Sequence, residues 1–224
     1  MTEQEKFTVS VSSAKTYHAC NTQWYIGSVE KIRQPPTPAT EIGTKFAELT
    51  EALSNNEPDI SKWVNPDNPT ITSLYEKNKD FLEMLRTEGG KPEFELAFGI
   101  NLYIAYSGWI DRVLETEDRI TIRDYKTAGS WQYTLTEKTM GADEQLNIYG
   151  YFYHTYYNKK NKPIWLEHQQ FHKGTGMRRP VQVPYNHEEG KAIYDWLVET
   201  AEAMVLEKRK KIEDVNKNFK KRNK

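Results

Sequence analysis

Two short strings, Gly108-Trp-Ile-Asp111 and Asp124-Tyr-Lys126, put two carboxylates and one amine on neighbouring strands. The first lies in the apolar run 104–114 and the second ends the run 119–127. The polar segment 115–118 between them suits a hairpin turn. Side chains alternate along a strand, so Ile120, Ile122, Asp124 and Lys126 share one face, as do Trp109, Asp111 and Val113. A hairpin therefore brings Asp111 beside Asp124 and Lys126. Two carboxylates next to an ammonium, rooted in apolar strands, suit a hard divalent cation such as Mg2+ or Mn2+. Such a cation polarises a phosphoryl oxygen and acidifies a bound water. The backbone carbonyl of Tyr125 offers a third oxygen. Lys126 can position the attacking water, or act as a general base if a nearby cation disfavours its charged form. A plain surface salt bridge, worth about 0–1 kcal/mol, would not explain why both acids continue apolar faces.

Other groups could serve such a centre. Gln145 and Tyr149 stand at i, i+4 on one helical face and can contact a sugar–phosphate backbone or brace the site. The segment 173–179 reads as a basic glycine-containing loop, with Lys173, Arg178 and Arg179 as phosphate contacts. It lacks P-loop spacing, so nucleoside triphosphate binding is not indicated. Trp131 and Tyr133 follow the second strand and can stack on a base or cap the core. His154, His168 and His172 read as surface or packing residues.

These side chains need a frame. Ser12 or Ser13 can cap a short helix, and 34–40, with three prolines, reads as a loop. Helical periodicity covers 41–53 and 72–88, with Gly89-Gly90 closing the second. Strands follow near 94–98, 104–114 and 119–127, then a helix over 140–157, strands at 164–172 and 181–184, and a last helix capped by Asn186 and running to about 211. The order predicts one mixed α/β domain over 1–224, a central sheet flanked by helices.

The chain has 31 basic and 32 acidic residues, one cysteine and a net charge of −1. Residues 207–224 carry nine Lys/Arg against three Asp/Glu, a basic tail on an acidic body that can track a phosphate backbone. No run of about 18 apolar residues exists, so no membrane partner is expected. The charged start 1–7 does not read as a secretory leader, and a cytoplasmic setting is expected. Cys20 alone makes neither a disulfide nor an iron–sulfur cluster.

Taken in order, Gly108-Trp-Ile-Asp111, Asp124-Tyr-Lys126 and Gln145-Leu-Asn-Ile-Tyr149 resemble the RecB-type branch of the PD-(D/E)XK nuclease superfamily. The opening segment 10–25 also resembles that family's first helix, so the likeness covers roughly residues 8–175. It implies a restriction-endonuclease-like fold, Mg2+ or Mn2+ as cofactor, and DNA as substrate. It also implies an activity, often exonucleolytic, used in repair, recombination or phage replication, where a recombination or replication protein can be a partner. One departure stands out. The family's Gly-x-x-x-His reads Gly43-Thr-Lys-Phe-Ala47 here. Glu48 and Glu51 of the same helix are the candidates to replace the histidine, Glu48 first by analogy with other branches and Glu51 second though nearer Ala47 on the helical wheel, and a solvated face is the alternative for both. Glu95 matches a family acid that could support the site or simply be exposed. Ala47 also motivates two alternatives, an inactive DNA-binding subunit or a protein-interaction module that keeps the fold.

Overall fold

The computed structural model describes residues 6–32 and 34–222, with side chains up to 211. The chain forms two compact units: Met1–Gln34, Leu96–Gly108 and Lys191–Lys224 make one, and Pro35–Glu95 with Trp109–Gly190 the other. In order the elements are β1 (Phe7–Val9), α1 (Val11–Ala19), α2 (Asn21–Trp24) and a π-helical turn at Tyr25–Val29. Next come α3 (Pro38–Ser54), α4 (Pro69–Lys77), α5 (Lys79–Met84), β2 (Lys91–Gly99), β3 (Ile104–Glu115) and β4 (Ile120–Ala128). After a 3-10 turn at Trp131–Tyr133 follow α6 (Glu137–Met140), α7 (Glu144–Tyr156), β5 (Ile164–His172), β6 (Arg178–Pro184) and α8 (His187–Arg222). The strands form one mixed sheet in the order β1-β3-β4-β5-β6, with β2 also on β3. The predicted central sheet flanked by helices is what the chain builds.

Several boundaries differ from the periodicity reading, each for a local reason. Ser10, not Ser12 or Ser13, caps α1: it accepts from Ser13 N–H while Ser13 Oγ accepts from Ser10 N–H. Part of the proline loop is helical, because Thr37 caps α3 and Pro38 fits its first turn. The helix expected over 72–88 breaks at Asn78, whose side-chain amide donates to Leu74 O and Gly176 O at 2.8 Å each. The one expected over 140–157 breaks before Asp143, which caps α7 through Leu146 N–H at 2.9 Å. The basic loop is shorter than expected, since Arg178 and Arg179 already belong to β6. Asn186 does cap α8, accepting from the Glu188 and Glu189 amides. The helix reaches Arg222, and most of the basic tail's side chains lie outside the described residues.

In the second unit the two faces of β4 have different jobs. Tyr125 faces the apolar cluster of α3, α4 and α5, with Phe46, Leu49, Leu53, Leu74 and Phe171. Arg123 shares that face and lies directly opposite Arg112 on β3. Two buried guanidiniums side by side would repel, but Glu88 sits between them, 2.6 Å from Arg123 Nη1 and 3.4 Å from Arg112 Nε. Glu167 pairs with Arg123, and Arg112 also donates to Ser54 Oγ, Leu85 O and Gly89 O. This buried brace joins the C-terminal ends of α3 and α5 to the sheet. In the first unit His18 Nε2 lies 2.9 Å from the Thr200 hydroxyl and accepts from Trp196 Nε1.

Candidate active site

β3 and β4 pair antiparallel as far as Arg112↔Arg123. Past that pair a side chain takes over from the ladder: the Tyr125 backbone N–H donates to Asp111 Oδ2 at 2.7 Å. The Asp111 carboxylate thus stands where a partner-strand carbonyl would stand in a continuous ladder, and its position is fixed by the neighbouring backbone. Gly108 is required upstream, because a Cβ there would collide with the Tyr106 hydroxyl and come within 2.9 Å of its ring. Gly108→Ala is expected to cost about 1–3 kcal/mol through overpacking. Chemical denaturation checks this, and adding Tyr106→Phe should recover part of the loss.

Asp124 is 1% exposed. Its Oδ1 accepts from Lys126 Nζ at 2.7 Å and from Gln145 Nε2 at 3.2 Å. Gln145 also donates to the Tyr149 hydroxyl at 2.9 Å, so the i, i+4 pair on α7 reaches the second carboxylate as a unit. The other oxygen, Oδ2, lies 2.9 Å from His168 Nε2, and among the described residues no further donor meets it. A buried carboxylate oxygen with an unused lone pair is what a cation ligand needs. The Tyr125 side chain turns to the opposite face, so only its backbone carbonyl could join Asp111 and Asp124 as a ligand.

The charges are interlocked. Burial pushes Asp111 up, the Asp124 charge adds to this, and Lys126 and the Tyr125 N–H only partly offset them. Burial also opposes ionisation of Asp124, but Lys126 and His168 outweigh it and hold its carboxyl below the usual range. Burial works against the charge on Lys126, while Asp124 and Asp111 overcome it and raise the amine above its ordinary value. Without a cation Lys126 is therefore held as an ammonium. Burial and Asp124 likewise push the Tyr149 phenol up, keeping it protonated.

A pH dependence follows. Asp111 is raised from 3.8 to about 8, so between those values the folded state binds more protons than the unfolded one and stability falls as pH rises. Metal-free protein is expected to lose thermal stability from pH 5.5 to 8 relative to Asp111→Asn, which lacks this titration. Parallel melting curves for the two proteins over that range measure it.

Sequence reasoning passed over two residues here. His168 pairs in register with Asp124 across β4 and β5 and is buried, not a surface group. Gln170 fixes its ring: Gln170 Nε2 lies 3.2 Å from His168 Nδ1 and 2.8 Å from Leu135 O. Donation to Nδ1 puts the imidazole proton on Nε2, facing Asp124. Alternation along 164–172 could have signalled this, since His168 occupies the Ile164 and Leu166 face. Glu93 is the other. Its backbone is left-handed, at φ 44°, and burial together with the Glu51 charge pushes its carboxyl up. Glu93 in turn adds to the rise at Asp111. No sequence pattern announces a left-handed glutamate inside a strand, and Glu95 is simply exposed.

The helix candidates separate. Glu48 accepts from Trp63 Nε1 at 2.9 Å and pairs with Lys62 at 3.1 Å, and both contacts lower its pKa. Glu51 is tied electrostatically to Glu93 and so to the Asp111 end. The basic candidates are not brought together as a group. Lys173 Nζ donates to Ala39 O at 2.8 Å. Arg178 lies over the Phe81 ring and donates to Gln169. Arg179 lies over Trp131 and donates to Gln170, on the face that carries His168. Trp131 is thus packed, while Tyr133 is exposed. His172 accepts from the Gly174 and Thr175 amides and shapes the β5–β6 turn.

Among the described residues no three His, Cys, Asp or Glu side chains already form a metal cage. Two buried carboxylates, Asp111 and Asp124, are the number of protein ligands that a hard divalent cation keeping several waters requires.

No curated protein matches the chain. A solved structure from Eubacterium rectale, described as a candidate exonuclease, is similar at a TM-score of 0.57 and 10% identity, over 88% of this chain and 79% of that one. The structure of SSO0001 gives a TM-score of 0.45 at 15% identity, over 91% and 77%. The family model of the PD-(D/E)XK nuclease superfamily matches residues 8–214. A match that runs from β1 into α8, on a mixed sheet flanked by helices, makes this chain a member of the PD-(D/E)XK nuclease superfamily.

Proposed function

We propose that this phosphodiester hydrolase is a metal-dependent deoxyribonuclease, most simply an exonuclease, acting in repair, recombination or phage replication. The observation that carries the reading is the convergence of Asp111, Asp124 and Lys126 where the β3–β4 ladder gives way to a side chain. Asp111 and Asp124 would hold Mg2+ or Mn2+, with the Tyr125 carbonyl beside them and Glu51, through Glu93, behind Asp111; Glu48 is the weaker choice. Bound there, the cation would supply an acidified water and a counter-charge for the phosphoryl oxygens. Lys126 orients the attacking water and offsets charge growing on the scissile phosphate. Gln145 and Tyr149 keep Asp124 aimed and give a polar edge to the substrate strand. Arg179 is the best placed of the basic candidates for phosphate contact, ahead of Lys173 and Arg178.

Incubation with end-labelled linear and closed circular DNA, with and without Mn2+, tests this reading. Loss of linear DNA only with the metal supports it, and survival of circles marks end dependence. Intact DNA under every condition would favour the inactive DNA-binding subunit that Ala47 suggests. His168 is expected to act as a positioning residue for Asp124. His168→Ala should weaken Mn2+ binding by about 10–100-fold, measured by calorimetry, while His168→Asn keeps a donor and recovers part of it. Unchanged affinity in both variants would remove His168 from the account.

A further inference from the structure

The first unit contains a cleft of about 1290 Å³. Pockets for small molecules usually span about 300–1,000 Å³, so this space suits a polymer segment. Its walls include Lys6, Lys31, Lys208 and Arg209, seven serine or threonine residues, and no Asp or Glu. Among the described residues none of those four cations has a carboxylate within ion-pair distance. Four cations that have no carboxylate partner among the described residues, gathered in one concavity, favour an anion with repeated charges.

The walls are not only basic. Tyr103 lines the cleft and is 55% exposed. Trp24 lines it as well, and its buried indole N–H finds no acceptor among the described residues. One wall is the π-helical turn Tyr25–Val29, a rare local winding that recurs at functional sites. Lys31, just beyond, is left-handed at φ 59°, a conformation that residues with a Cβ rarely adopt. Cations for phosphates, an exposed ring for a base face and hydroxyls for sugar edges together match an unpaired strand better than a duplex.

We propose that this cleft binds a single-stranded phosphodiester chain, independently of the chemistry at Asp111 and Asp124. The test is fluorescence anisotropy of the full chain in EDTA with labelled oligo(dT), oligo(U) and a hairpin duplex. Reversing two charges, Lys31→Glu with Arg209→Glu, is expected to weaken oligo(dT) binding at least about tenfold. It should also flatten the salt dependence by about 0.7 per lost phosphate contact. Tyr103→Ala should weaken binding about tenfold with the salt slope unchanged, because stacking carries no counterions. Lys159→Glu with Lys160→Glu makes the same charge change outside the cleft and should change little. Tighter binding of either oligo(dT) or oligo(U) identifies the strand and supports the cleft. Affinity within twofold of the parent protein for both cleft variants, or losses confined to the duplex, would overturn it. Binding is read without metal and at side chains that take no part in the chemistry at Asp124, so it is scored separately from digestion. A flat anisotropy result therefore sinks the cleft alone, and intact binding without any digestion sinks only the nuclease reading.

Discussion

Replacing Asp124 by Asn is expected to cut metal-dependent DNA cleavage by at least about a thousandfold while the domain stays folded. Asp124 is the buried centre of the cluster, touching Lys126, Gln145 and His168 at once. Asparagine keeps the shape and one carbonyl acceptor, so packing around α7 survives. What it removes is the charge that a hard cation requires. Asp111 should compensate in part: with the Asp124 charge gone, the main electrostatic cause of its raised pKa disappears, and it pairs with Lys126 instead. Melting temperature should therefore shift little while cleavage vanishes. Cleavage rates on end-labelled DNA beside a melting curve separate the two effects, and near-normal cleavage would refute the role of Asp124.

The largest expected loss of stability lies on the other face of the same strand. Arg123→Ala should lower the unfolding free energy by about 3–5 kcal/mol, read as a shifted urea midpoint. The arginine side chain is 7% exposed and holds both Glu88 and Glu167. Its removal leaves two nearly buried carboxylates with fewer partners and loosens the tie between α5 and the sheet. Arg123→Lys should rescue poorly, because an ammonium cannot present the guanidinium fork that meets two acids from one position. A change below about 1 kcal/mol would mean that water replaces the arginine, and that the brace is far less dry than its burial indicates.

These two effects show what was legible in the sequence. Strand alternation was enough to group Asp124 with Lys126 and to put Asp111 on the adjoining strand, because a hairpin leaves few registers once one face is apolar. The same logic found β5 and α7 nearly whole. It did not find Glu88, which follows α5 and matters only because Arg112 and Arg123 fall opposite each other. Nor did it find His168, because parallel pairing of β4 with β5 joins residues far apart in sequence. Helix spacing offered both Glu48 and Glu51, yet only tertiary packing supplies Trp63 and Lys62 as partners for the first. Side-chain caps at Asn78 and Asp143 broke two helices that apolar periodicity ran straight through. Local chemistry was thus readable where a period of 2 or 3.6 fixed it, and hidden where a long-range contact chose the partner.

The most direct measurement is a calorimetric titration of the parent protein and of Asp124→Asn with Mn2+ at pH 7, in two buffers of different ionisation heat. The expected result is saturable binding by the parent protein with release of about one proton, supplied by Asp111 as its carboxylate takes up the ion, and no such binding by the variant. Absence of binding in the parent protein, or equal binding and no proton release in both, would contradict the claim that Asp111 and Asp124 form a shared cation site.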